Sequence, residues 1–155
     1  MWLGTRKQAH KLNSLKESKK LAEELADKLS KKASIKNALV LALSGDLGSG
    51  KTTFTQNFLR HLGVKQKITS PTFVLLKRYK IYDLRFKNAY HVDAYRIKNP
   101  KEMDVLGFKE ILKNPRNVVL IEWAENIKKI LPRNTIWLKF EHGEKENIRK
   151  VQMFS

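Results

Sequence analysis

The chain has 155 residues, of which 32 are lysine or arginine and 15 aspartate or glutamate, for a formal net charge of +17. That length suits one domain with a real hydrophobic core, the absence of cysteine excludes disulfides, thiolate metal sites and a cysteine nucleophile, and the four histidines have no paired ligand spacing for zinc. No run reaches the roughly 18 apolar residues of a membrane helix, so a cytoplasmic protein is expected, and its basic surplus suits polyanions such as RNA, an acidic protein face or nucleotide, or simply a lysine-rich solvated surface.

Residues 1–11 show no clear pattern and are expected as a loose extension of a single domain over 1–155. From Leu12 to Leu29, leucines and alanines recur every three or four residues with charges between them, which predicts an amphipathic helix. "ALVLAL", Ala38 to Leu43, is a short continuous apolar run suited to a strand covered on both faces. After it, "TTFTQNFLRHLG" aligns Phe54, Phe58, Leu59 and Leu62 on one helical face, with Gly63 as the stop. Pro71 biases Ser70 to an extended conformation, and the β-rich Thr72–Leu76 predicts a strand. A polar interval separates it from "AYHVDAYRI", so the two read as a hairpin or as neighbouring strands. Asn99, Pro100 and Glu102 form a capping-box start for a short helix ending near Asn114 and Pro115. "NVVLIEW" is a second buried strand, and the alternating "TIWLKF" is expected at the sheet edge. The order strand, loop, helix, strand predicts an α/β fold with a mixed, mostly parallel sheet flanked by helices, and the pattern G-x-x-x-x-G-K-[ST] from Gly45 to Thr52 makes it a P-loop NTPase domain.

The loop after the first buried strand reads "GDLGSGKTT". Gly45, Gly50, Lys51 and Thr52 satisfy G-x-x-x-x-G-K-[ST] between a strand and a helix. Such glycines let successive backbone N–H groups surround phosphate oxygens, the helix N-terminus adds a favourable dipole, the lysine reaches the terminal phosphates, and the hydroxyl ligates magnesium. Gly45, Gly48, Ser49, Gly50, Lys51, Thr52 and Thr53 are therefore the candidate nucleotide-binding residues. Magnesium held by Thr52 needs an acidic partner, placed in open α/β sheets at the carboxyl end of a neighbouring strand. Glu122 ends "VVLI" at such a place. Aspartate is the usual residue there, and the longer glutamate can act directly, through water, or as a base for an attacking water. Thr72 can sense a γ-phosphate or its metal as switch loops do, or be a turn hydroxyl, and Asp93 can orient water or be an ordinary strand-end carboxylate. Trp123 alone reads as a packing residue and His91, which shares the face of Asp93 on a strand, as a structural one. Arg96 can neutralise phosphate charge, although one arginine in so basic a chain says little. A guanine-specific Asn-Lys-x-Asp element is missing, which favours ATP.

Taken in order, "SGDLGSGKTTF", "ITSPTF", "YHVDAYRI", "PKEMDVLGF" and "LIEWAE" resemble the TsaE family over roughly Leu12 to Val151. The glycine loop is generic, whereas SPTF, H-x-D-x-Y-R and I-E-W together are specific. The resemblance implies a small P-loop ATPase, using ATP and Mg2+, that is needed to make threonylcarbamoyladenosine in tRNAs reading codons that begin with adenine. It implies the TsaD and TsaB proteins as partners, whose transferase complex the ATP cycle resets or regulates. Contact with tRNA, direct or through those partners, is left open, and no DNA is expected. Carried over by motif, residues 48–53 bind phosphates, Thr52 and Glu122 hold magnesium, Asp93 and Thr72 serve hydrolysis and switching, and Trp123 has a functional role. The family also places nucleotide contacts near the first helix, here Leu15, and near a C-terminal segment, here "EHGEKENIRKV" around Glu146, which lacks the Gly-Arg dipeptide frequent in that segment. A small-molecule phosphotransferase and a basic RNA-binding module are the competing readings.

Overall fold

The computed structural model describes residues 7–71, 74–83 and 85–155. In chain order it contains β1 (Gln8–Leu12), α1 (Leu15–Lys32), β2 (Leu39–Gly45), α2 (Lys51–His61), β3 (Leu76–Lys80), β4 (Asn88–Asp93), a 3-10 segment (Pro100–Leu106), α3 (Phe108–Lys113), β5 (Asn117–Glu122), a second 3-10 segment (Ala124–Ile130), β6 (Ile136–His142) and β7 (Arg149–Phe154). The strands form one seven-stranded sheet in the order β1-β7-β6-β2-β5-β4-β3. The four central strands β6, β2, β5 and β4 run parallel, and antiparallel partners close both sides, so the expected mixed α/β sheet is present.

The two apolar runs are continuous because both faces of the sheet are covered. Leu39, Leu41 and Leu43 of β2 and Val118 and Leu120 of β5 point to one side, where they pack against Leu21, Leu25 and Leu29 of α1 and Phe54, Phe58 and Leu59 of α2. The alternate residues Val40, Ala42, Val119 and Ile121 face the other side and meet Met103, Phe108, Leu112 and Ile127. Each fully buried leucine or phenylalanine contributes about 1.5–3 kcal/mol relative to exposure, so these two layers hold the carboxyl ends of β2, β4 and β5 in fixed register. Ser14 caps α1 by accepting from the Glu17 backbone N–H at 3.2 Å. The capping box at Asn99 and Glu102 forms as its sequence requires, but on a 3-10 turn that stops at Gly107 before α3 begins.

Four expectations are corrected. Gln8–Leu12, expected as a loose start up to residue 11 and a helix from Leu12, is an edge strand paired with β7, so Leu12 ends a strand and lies outside the helix, while residues 1–6 lie outside the described residues. The strand expected over Thr72–Leu76 begins only at Leu76. The Pro71 carbonyl accepts from the backbone N–H of Val74 and Leu75 at 3.1 and 3.0 Å, a turn that leaves Leu75 at φ 62°. Thr72 and Phe73 lie outside the described residues. "TIWLKF" is internal, between β2 and β7. Its alternation reports one-sided cover, with Leu138 and Phe140 buried in the core while Lys139 is exposed. Lastly, β7 was not anticipated because "RKVQMF" mixes charge with a single fully buried side chain, Val151. Among the described residues no helix is long and apolar enough to cross a membrane.

Candidate functional site

A cavity of about 460 Å³ opens at the carboxyl ends of the parallel strands, where open α/β sheets place their ligands. Its floor is the glycine loop between β2 and α2. Gly45 ends β2 at φ 134°, and a Cβ there would stand 2.2 Å from the Phe140 carbonyl oxygen, so only glycine lets the loop leave the sheet beside β6. Gly50 caps α2 in the left-handed region and aims the free N–H groups of the first turn at the cavity. Gly48, Ser49, Gly50, Lys51, Thr52 and Thr53 all line it, whereas Gly45 does not. The Ser49 hydroxyl is buried without a hydrogen-bond partner. An orphaned donor inside a ring of amides fits a phosphate oxygen.

Lys51 is nearly enclosed, at 5 % exposure. Its ammonium donates to the carbonyls of Gly45 and Asp46, the latter at 2.9 Å, and stands 4.3 Å from the centre of the Trp123 ring. Burial lowers its pKa, and the charges of Glu122, Glu125, Asp46 and Asp93 pull in the opposite direction. Trp123 follows β5 directly and has left-handed backbone, φ 56°, a conformation that costs a bulky residue about 1–3 kcal/mol. Its indole packs between that ammonium and the Tyr95 ring, whose centroid is 5.0 Å away.

Glu122 is the hub. It ends β5 at 4 % exposure, in register with Leu43 of β2 on one side and Asp93 of β4 on the other. Thr52 Oγ1 donates to its Oε1 at 2.7 Å across 70 residues of sequence, and the fully buried His91 meets its Oε2 at 2.5 Å through Nε2. A carboxylate oxygen only accepts, so Nε2 carries the hydrogen. His91 Nδ1 is buried without a partner. Thr52 and Glu122 thus bring together the hydroxyl and carboxylate that a hard cation requires. Among the described residues no three His, Cys, Asp or Glu side chains cluster as a metal cage.

Asp93 ends β4 in the cavity wall. Its pKa is raised, first by burial and further by the Glu122 charge, against the Tyr95 backbone N–H that donates to it at 3.0 Å. Leu15 lines the mouth of the cavity at 77 % exposure, whereas Glu146 does not line it. The nearby lining residue is Arg149, whose guanidinium donates to the backbone carbonyl of Glu146. Arg96 is exposed and outside the lining, and Thr72 falls outside the described residues. Sequence reasoning missed three contributors: Tyr95, Arg149 and the partnership of His91 with Glu122. Strand alternation already put His91 and Asp93 on one face, but the pairing of β4 with β5 that brings Glu122 to that face has no local signal.

A family model described as "Threonylcarbamoyl adenosine biosynthesis protein TsaE" matches residues 12–151. The chain is 46% identical over 123 residues to a Rickettsia typhi protein named tRNA threonylcarbamoyladenosine biosynthesis protein TsaE, covering 79% of this chain and 78% of that one. A Haemophilus influenzae protein of the same name is 34% identical over 120 residues, 77% and 72% of the two chains. Among solved structures, that of Bacillus subtilis YdiB superposes with a TM-score of 0.75 at 27% identity, covering 99% of this chain and 88% of the other.

Proposed function

The chain belongs to the TsaE family of threonylcarbamoyladenosine biosynthesis, and from that premise we propose that it binds and hydrolyses ATP with Mg2+ and acts in the cytoplasm as an ATP-dependent regulatory partner of the TsaD–TsaB transferase. The observation that carries this reading is the 2.7 Å contact between Thr52 Oγ1 and Glu122 Oε1 at the mouth of the glycine loop. It brings a hydroxyl and a carboxylate together from positions 70 residues apart, and this supports their reading as the two groups that would hold a nucleotide-bound magnesium.

In this reading the loop amides and the Ser49 hydroxyl receive phosphate oxygens, and Lys51 leaves its two carbonyls for the terminal phosphates. Thr52 and Glu122 hold Mg2+, which supplies neutralisation of the phosphate charge. Asp93, beside Glu122 and in the cavity wall, orients the attacking water, a role that its raised pKa makes compatible with accepting a proton. Thr72 keeps its place as γ-phosphate sensor on its motif alone. Regulation requires ATP and ADP to differ in the contacts they make, because a ligand shifts an equilibrium only by its differential affinity for the two states. Hydrolysis is slow for the isolated chain and rises with the partners. The test is ATPase turnover with and without purified TsaD–TsaB complex and tRNA, together with binding of the complex in ATP and in ADP. Stimulation by the mixture, with tighter association in one nucleotide, is expected. Equal binding in both nucleotides removes the switch, and stimulation by a metabolite in place of the complex makes the protein a small-molecule phosphotransferase.

A further inference from the structure

The positive charge is not spread evenly. Between Val64 and Asn88 the chain carries seven lysines and arginines against one aspartate, so this short stretch holds a net six of the seventeen surplus charges. The single acid, Asp83, is occupied by the backbone N–H groups of Arg85 and Phe86 at 2.6 and 3.4 Å. Two of the cations are also occupied. Arg85 turns inward to the carbonyls of Ala33 and Ser34, and Lys77 donates to Thr69 Oγ1. Lys65, Lys67, Arg78, Lys80 and Lys87 remain exposed, and among the described residues none of them forms an ion pair.

Elsewhere, where eleven of the seventeen surplus charges lie, part of the lysine-rich surface is compensated. Lys19 and Lys20 face Glu23 and Glu24 on α1, and Lys113 and Lys139 each have a glutamate within 4.0 Å. At the open edge of the sheet the fold does the reverse. The antiparallel bridge between Val64 and Ile81 brings Lys65 beside Lys80, although like charges opposite one another are destabilising. Both ammonium groups lie over one ring, that of Tyr82, at 5.1 and 5.2 Å from its centre, and Tyr82 is 62 % exposed. Arg78 and Lys80 alternate with the buried Tyr79, so they share one face of β3. The cluster sits at the amino end of β4, where Lys80 pairs with Asn88, and the nucleotide cavity lies at the other end, past Asp93.

We propose that this β3 edge, comprising Lys65, Arg78, Lys80 and Tyr82, is a direct contact surface for the phosphate backbone of tRNA. Uncompensated cations at the spacing of a strand edge gain from a polyanion what they lose in mutual repulsion, and each phosphate they neutralise releases a counterion. The exposed tyrosine adds a π face of the kind that RNA-binding surfaces offer to unstacked bases. An acidic protein face would satisfy the charges but leave the ring unexplained. The inference rests on family membership in tRNA modification and is independent of the nucleotide chemistry.

The experiment measures binding of an unmodified tRNA transcript to the full chain across a salt series, with Lys65→Gln/Arg78→Gln/Lys80→Gln against a control that removes equal charge from α1, Lys28→Gln/Lys31→Gln/Lys32→Gln. The edge variant is expected to bind at least about tenfold more weakly at low salt and to lose about two to three from the log–log salt slope, close to one for each phosphate contact removed. The control should retain both. Tyr82→Ala alone should weaken binding several-fold with the slope unchanged, and Lys65→Arg/Lys80→Arg, which keeps the charge, should bind as wild type. Melting temperature and ATP affinity are measured alongside, and both stay at wild-type values if the surface is separate from the fold and the cavity. Equal losses in the edge and α1 variants would show diffuse attraction and overturn the proposal. It is equally overturned if tRNA binding is untouched while association with TsaD–TsaB is lost, which would make this edge a protein dock.

Discussion

Replacing His91 with phenylalanine tests the hub of the site, because the ring volume stays while the donor goes. His91 is fully buried, Glu122 is 4 % exposed, and the 2.5 Å contact between them is, among the described residues, one of two side-chain hydrogen bonds to the carboxylate, the other coming from Thr52. A hydrogen bond to a charged group contributes about 1.5–3 kcal/mol, and a buried charge left without any partner costs about 3–5 kcal/mol. Thr52 still donates at 2.7 Å, so the loss belongs near the lower range, about 2–3 kcal/mol. For a chain of this size each kcal/mol moves the melting temperature by about 2–4 °C, which gives a fall of about 4–12 °C. The assay is urea and thermal unfolding of the nucleotide-free protein, with the urea midpoint falling and the slope unchanged. His91→Gln, which retains an N–H donor, should recover part of the loss. Magnesium-dependent nucleotide affinity should follow the same order, because a carboxylate freed on one side no longer holds its other oxygen against Thr52. A His91→Phe protein within about 0.5 kcal/mol of wild type, the range of ordinary surface changes, would refute the reasoning.

Lys51→Met should abolish ATP hydrolysis yet leave the empty protein as stable as wild type or more so, because burial penalises the charged lysine in the folded state and its pKa is lowered there. Marked destabilisation on melting would contradict that. Asp93 has the opposite sign of shift. Its folded pKa is raised, so the folded state takes up its proton more readily, and its contribution to stability, full below the unfolded carboxyl pKa of about 3.9, is lost as pH rises through the folded value. Asp93→Asn should therefore be more stable than wild type at neutral pH in the absence of metal and nucleotide, with the gap closing near pH 4, and equal denaturation midpoints at neutral pH would rule this out. Gly45→Ala should cost about 2–5 kcal/mol in urea unfolding, combining backbone strain at φ 134° with a methyl placed 2.2 Å from the Phe140 carbonyl oxygen. A loss below about 0.5 kcal/mol would mean that β6 yields to the new methyl.

What was legible in the sequence was whatever a local pattern can encode. Continuous apolar runs identified β2 and β5, three-and-four spacing identified α1 and α2, and the glycine loop lay between elements whose types were already clear. The place of Glu122 was readable because it directly ends a buried apolar run. The missing parts are pairwise and distant. Nothing in "RKVQMF" announces that it pairs with both β1 and β6, and a half-covered strand alternates in the same way as an edge strand, which is why β6 was misplaced. His91 looked structural since its partner is 31 residues away and reaches it only through the parallel register of β4 and β5. The turn at Pro71 displaced β3 because proline restricts its neighbour without stating whether a strand or a turn follows.

The position of the Lys51 ammonium over Trp123 has an optical consequence. An indole with a cation 4.3 Å from its centre and a tyrosine ring beside it emits in the field of that charge, and a phosphate that draws the lysine away changes the field at once. Among the described residues the other tryptophan is Trp137, which is stacked on Phe154 with centroids 6.4 Å apart and lies outside the cavity lining. If the cavity takes nucleotide as proposed, Trp123 emission gauges its occupancy, readable without a label and in the presence of any partner whose own tryptophans stay silent.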